Sequence, residues 1–159
     1  MKTLFKTVME LLKTIPNLYI AENWGQLDIP QPPVNFPCAL IDLGDMEFSQ
    51  RGCLTQQGEG TLTISLSDIM YNGIDNVTPE ILQEKEFAIF NTINDINALL
   101  HGKTGSEKNS SLIRTKIQKQ IREDSIREFT LFYKFSYLDD SAQAKYTPVS
   151  VSPQIQIQK

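Results

Sequence analysis

At 159 residues, with 15 basic against 19 acidic side chains, a formal charge of -4 and a pI near 5.0, the chain fits one domain and lacks the broad cationic footprint of a nucleic-acid binder. A domain of this size buries roughly 68–70% of its unfolded surface, so one core suffices, and Cys38 and Cys53 read as free thiols because nothing else points to an oxidising compartment. No stretch approaches the ~18 apolar residues of a membrane span, and the N-terminus, interrupted by Lys6, Glu10 and Lys13 with no small-residue cleavage site after it, reads as a helix and not a signal peptide; the expectation is a soluble protein.

In chain order, Leu4, Phe5, Val8, Met9, Leu11, Leu12 and Ile15 recur at spacings of three and four, which predicts an amphipathic helix over about 2 to 14, stopped before Pro16. A short strand at Leu18, Tyr19 and Ile20 leads into a connector whose Pro30, Pro32, Pro33 and Pro37 lack backbone donors and forbid a regular ladder. Trp24, in that connector, reads as a core anchor before an exposed contact. From Cys38 to Phe48 the run is nearly continuously apolar, a strand covered on both faces for part of its length, with Gly44 marking a bulge or bend. Leu62, Ile64 and Leu66 alternate with Thr61, Thr63 and Ser65 as a half-buried strand. Between these two strands, Ser49 to Gly60 is rich in Gly and Gln and reads as a long, mobile, functional loop.

Thr78-Pro79-Glu80 reads as a helix start with the threonine as cap. The helix runs to about Leu100 on an apolar set of Leu82, Phe87, Ile89, Phe90, Ile93, Ile96, Leu99 and Leu100, and Gly102 stops it. The composition of residues 102 to 111 predicts a flexible loop. Its Gly-Lys-Thr is no phosphate loop, because the upstream glycine is missing and the triplet follows a helix. Ile113, Thr115, Ile117 and Ile121 alternate with charged or amide residues and suggest a strand, hairpinned through Glu123-Asp124-Ser125; the spacing of four also permits a short helix over 113 to 122. Phe129, Leu131, Tyr133, Phe135 and Tyr137 place five large side chains on one face of a strand near the sheet centre. After Asp140 the chain is polar, with small alternating patches at Val149/Val151 and Ile155/Ile157. That stretch reads either as an extended arm that adds to a neighbour's sheet edge or as a disordered tail.

The expected fold is therefore α+β, a single domain over 1–140 with a mostly antiparallel sheet packed against two helices in the order α-β-β-β-α-β-β, and a C-terminal arm over 141–159. Catalytic chemistry is not indicated. His101, the sole histidine, sits at a helix end where a cation complements the dipole, and Cys53 has no histidine partner in the pattern. Asp42, Asp45 and Glu47 cluster near a strand end, where a divalent cation and a solvated acidic loop are both compatible readings. Lys103, Lys108, Arg114, Lys116, Lys119, Arg122 and Arg127 form a basic stretch that reads as a solvated face or one meeting an acidic neighbour or phosphates. No cofactor is implied.

The N-terminal helix over Leu4 to Leu12, the connector ending in Phe36-Pro37-Cys38-Ala39-Leu40-Ile41, the strand Glu59-Gly-Thr-Leu-Thr-Ile-Ser-Leu66, the long helix after Thr78-Pro79 and the aromatic strand 129 to 137 resemble, over about residues 1 to 140, the tail-terminator and tail-completion proteins of long-tailed bacteriophages and prophages. The resemblance implies an α+β subunit of a ring, usually of six, that caps the tail tube and meets the head connector. It implies as partners a second copy of the chain, the major tail tube protein and the head-tail connector, with DNA passing through the lumen without specific binding, no membrane and no catalytic residues. It also implies the bacterial cytoplasm during assembly and then the virion tail. On this reading Arg51, Gln56, Gln57 and Glu59 of the central loop contact the tube or an adjacent subunit, and Val149, Val151, Ile155 and Ile157 are arm contacts. The long polar segment after Asp140 departs from the family pattern. Rival readings are a small regulatory or ligand-binding α+β module and a hydrolase with a metal at Asp42, Asp45 and Glu47.

Overall fold

A computed structural model describes residues 1–71, 75–105 and 107–143; the arm residues Val149, Val151, Ile155 and Ile157 lie outside them. The elements are α1 (Lys2–Leu12), β1 (Tyr19–Glu22), β2 (Cys38–Gly52), β3 (Thr55–Ile69), α2 (Glu80–Leu100), β4 (Ile113–Gln120) and β5 (Ile126–Asp139), with a 3-10 turn at Gln26–Asp28. They form the α+β fold expected, in the expected order. One five-stranded sheet runs β1-β2-β3-β5-β4, antiparallel except for the β1–β2 pair.

Both helices cover one face of the sheet. Leu4, Val8 and Leu12 of α1 and Ile89, Ile93, Ile96 and Leu100 of α2 meet Ala39 and Ile41 of β2, Leu62, Ile64 and Leu66 of β3, and Phe129, Leu131, Tyr133 and Phe135 of β5 in a single core. This is the period-2 side of each strand meeting the apolar stripe of each helix. The aromatic strand is interior, as expected, although β3 and not β5 is central. The sheet's open face is covered only at one end, where the 23–37 connector brings Leu27, Val34 and Phe36 onto Cys38 and Leu40. Trp24 is not part of either core: it is 62% exposed, because the connector's apolar contacts are filled by those smaller residues.

Several expectations need correction. Ser49 to Gly60 is no loop. β2 and β3 continue as paired strands up to a turn at Cys53 and Leu54, and the glycines that mimic a loop are spaces for side chains: a Cβ at Gly58 would meet Phe48 Cε1 at 2.8 Å, and one at Gly60 would meet Met46 Cγ at 2.8 Å. The bulge expected at Gly44 is present as a register shift between Leu43 and Met46. Residues 113 to 120 are the strand option, zipped to β5. Thr78 does not cap α2, which has Pro79 at its N-cap and no side-chain cap bond; Asp75 Oδ1 instead accepts from the Val77 and Thr78 amides and from Thr78 Oγ1.

In the loop expected over 102 to 111, residues 102–105 and 107–111 are pinned where flexibility was expected. Thr104 bridges Ser111 and Asn109 bridges Tyr137, while Thr7 Oγ1 of α1 donates to the Gly105 carbonyl at 3.3 Å. At the end of α2, His101 Nδ1 accepts the Arg114 amide at 3.2 Å.

Candidate interaction surface

The upper half of the sheet is an arm of three strands. β2 and β3 pair up to Gly52 and Thr55, and β5 follows β3 as far as the Gln56–Asp139 pair. Along β2, every residue from Glu47 to Gly52 is exposed, so this part stands clear of the helical layer. Phe48 and Leu54 are 48% and 52% exposed, apolar surface that a free monomer gains nothing by presenting.

The four residues marked in the sequence for contact all lie on this arm, on strands. Arg51 Nη1 reaches Gln57 Oε1 at 3.4 Å, and Ser49 Oγ donates to the Gln57 carbonyl at 3.3 Å. Alternation puts Gln57 and Glu59 on the open face and Gln56 on the helix side, so the structure gathers Arg51, Gln57 and Glu59 and separates Gln56 from them.

The open face of the arm is acidic. Glu47 stands directly across from Glu59, and Asp42 from Thr63. Glu47 and Glu59, with Asp45 from the bulge and Lys134 of β5, line a shallow groove of about 460 Å³. Like charges directly opposite on a sheet repel, so this face keeps a negative field in the free subunit. Sequence spacing grouped Asp42, Asp45 and Glu47, but Glu59 joins them only once the hairpin register is known. Among the described residues no three His, Cys, Asp or Glu side chains are placed to hold a metal ion. The groove is open and mixed in polarity.

The basic stretch is not one solvated face. Arg127 is buried, its Nη2 3.4 Å from Glu86 Oε2 of α2 and 3.7 Å from Asp68. Arg122 is a junction: Nη2 donates to the Leu27 carbonyl at 2.7 Å and to Asp124 at 2.8 Å, and Nη1 reaches Asp28 at 3.3 Å and Glu128 at 3.2 Å. Hydrogen bonding to Asp124 raises the Arg122 guanidinium above its ordinary value and holds the Asp124 carboxyl below its own. Lys108 pairs with Asp140, which lifts the ammonium and depresses the carboxyl, tying the 107–110 turn to the end of β5. Lys116 lies over the Phe132 ring at 5.4 Å. Sequence reasoning missed Glu86 as a core residue, since one carboxylate inside an otherwise amphipathic helix carries no mark of its buried partner.

Cys38 is buried and Cys53 exposed, both free. Burial pushes the Cys38 thiol up to about 12. Among the described residues no helix is long and apolar enough to cross a membrane.

No protein-family model matches the chain, and no curated protein does. Among solved structures it is similar to a chain of the virion of the native gene transfer agent (GTA) particle, at 10% identity, over 86% of this chain and 92% of that one, with a TM-score of 0.48. At that identity function has to be argued from the residues of this chain.

Proposed function

We propose that the protein is a non-catalytic structural subunit of a phage-like particle, assembling into a ring that caps a tail tube and joins it to the head connector. The observation that carries the reading is the two-sided sheet. Both helices seal one face, while the other, along the arm, carries Asp42, Asp45, Glu47 and Glu59 against Arg51 and Lys134. A ring whose subunits turn that face inward has a lumen along which DNA slides without adhering, since counterion release and phosphate pairing need clustered cations. The exposed arm, with Phe48 and Leu54 near Arg51, Gln57 and Glu59, is the surface offered to the tail tube protein or to a neighbour. The partners on this reading are a second copy, the tail tube protein and the head connector; the setting is the bacterial cytoplasm during assembly and then the virion tail.

Absolute particle mass by light scattering across a wide protein concentration range tests it. The expected result is a species near six times 18.1 kDa, or a rise toward it with concentration, visible as rings by electron microscopy. A monomer at every concentration, unchanged by added tail tubes, overturns it.

A further inference from the structure

The sheet ends in two edges that differ in sign. At one side lies β4, whose Lys116 and Lys119 are exposed, with Ile117 43% exposed; the outward amide of Arg114 is already taken by His101, so the open edge begins after it. At the other side β1 covers β2 only from Cys38 to Ile41. Among the described residues β2 has no partner on that side from Asp42 to Gly52, and this stretch carries Asp42, Asp45 and Glu47. Unpaired strand edges are templates for another chain, and charge is one of the means by which proteins restrict what pairs there. Here the charge is selective. β4 against β4 sets like charges side by side, and β2, with three acids against the single Arg51 near its end, does so along most of its length when it meets β2; β4 against β2 sets opposite ones.

We infer that these two edges are mates: residues 115–120 of one subunit add antiparallel to the Asp42–Gly52 stretch of the next, so that one sheet runs through the assembly. The inference deepens the ring reading and rests on it. Strand direction fits. Within the sheet β2, β3, β5 and β4 alternate in direction, so β2 and β4 are antiparallel, and a neighbour related by rotation about an axis closer to the strand direction than to its perpendicular offers its β2 in the antiparallel sense. A contact between different edges is heterologous, which yields closed rings or open filaments and not isolated two-fold dimers.

One pair on each face fits. On the open face β4 presents Lys116, in register with Phe132, and β2 presents Asp42, level with it through Thr63, and Glu47. On the helix face β4 presents Ile117, in register with Leu131, beside Leu43, Met46 and Phe48 of β2, while Arg114 and Lys119 share that face and Ile113 lies on the open one. The ion pair from Lys116 and the apolar contact from Ile117 are the two cross-strand contacts the pairing offers. The edges also stand at different heights. Ile113–Gln120 lies level with Lys134–Glu128 of β5, whereas Leu43–Gln50 lies, through Leu62–Gln56 of β3, level with Tyr133–Asp139. The midpoints differ by about five residues, or roughly 16 Å. Closure by rotation therefore requires strands inclined to the ring axis, the same coupling of stagger and tilt that closes a barrel.

Disulfide trapping in the full-length chain tests this, with Cys53→Ser to remove the exposed thiol. Lys116→Cys combined with Glu47→Cys, and Lys116→Cys with Asp42→Cys, are oxidised under assembly conditions and resolved without reductant. The expected result is a ladder of cross-linked species for at least one double variant and no dimer for any single variant. A Lys116→Glu substitution should raise the concentration needed for half-assembly about tenfold, and adding Glu47→Lys should restore it. A chain that stays monomeric overturns the ring and the edge pairing together. A ring by mass with no ladder and no response to Lys116→Glu overturns the edge pairing alone. Dimers from single variants overturn it in favour of two-fold contacts. A ladder from Lys116→Cys with Val151→Cys overturns it by showing that the neighbour's C-terminal segment, and not β2, occupies the edge.

Discussion

Gly105 is the point at which the 102–112 segment rests on α1. A Cβ built there would sit 2.9 Å from Leu4 Cα and 3.1 Å from Leu4 Cβ, and against Leu4 Cδ1. Ordinary contact begins at 3.4 Å, so Gly105→Ala forces the backbone of α1 to withdraw by about half an ångström, or the 102–112 segment to lift. Neither is free, since Leu4 is fully buried and cores are packed to crystal-like density. Overpacking of this kind costs about 1–3 kcal/mol, which for a chain of this length lowers Tm by roughly 2–12 °C. Thermal and urea unfolding followed by circular dichroism measure the loss, and amide exchange across residues 2–12 locates it. Leu4→Ala alone should cost about 2–5 kcal/mol, and the double variant slightly less than the sum of the singles, because Leu4→Ala removes the Cδ1 contact while Cα and Cβ of residue 4 still meet the new methyl. A Gly105→Ala protein that melts within about 1 °C of the parent with unchanged exchange in α1 would refute the account of how this segment and α1 are joined.

Arg122→Met keeps the aliphatic stem but removes the bonds to Leu27, Asp28, Asp124 and Glu128; with the arginine side chain only 17% exposed, we expect about 2–3 kcal/mol of destabilisation by urea titration, and no rescue by Arg122→Lys, whose single ammonium cannot reach four groups. The same contact sets an acid dependence. Asp124 is depressed in the fold below its ordinary 3.8, so its contribution is full above that value and is lost as pH falls through the folded value; the stability difference between parent and Arg122→Met should shrink below about pH 3.8 in thermal melts. With the Cys38 thiol raised from 9.0 to about 12 by burial, its neutral form favours the fold below pH 9 and that advantage is lost as pH rises toward 12. Iodoacetamide at pH 8 should label Cys53 alone in the native protein and both thiols in denaturant, as read by intact mass.

Much of the fold was legible because its elements carry unmixed periodicities. The stripe Leu4, Val8, Leu12 and the alternation from Phe129 to Tyr137 each match one face of the observed core, and Glu123 to Ser125 is the turn between β4 and β5. The arm was not legible, because composition assigns glycine and glutamine to loops, whereas at Gly58 and Gly60 the space a Cβ would take is filled by Phe48 and Met46 across the ladder. Charges misled for a related reason. Arg122 and Arg127 are near neighbours of lysines in sequence, yet their partners Leu27, Asp28, Asp68 and Glu86 come from distant segments. The opposition of the two edges follows from strand order, which no local pattern contains.

The brevity of β1 also has a mechanical side. Load applied along the strands is shared at once by all the cross-strand bonds that join β2, β3 and β5, because those bonds lie perpendicular to the pull. β1 holds on through four residues and β5 through fourteen. Under tension the N-terminal strand is therefore the fuse, and the long strands form the cable behind it.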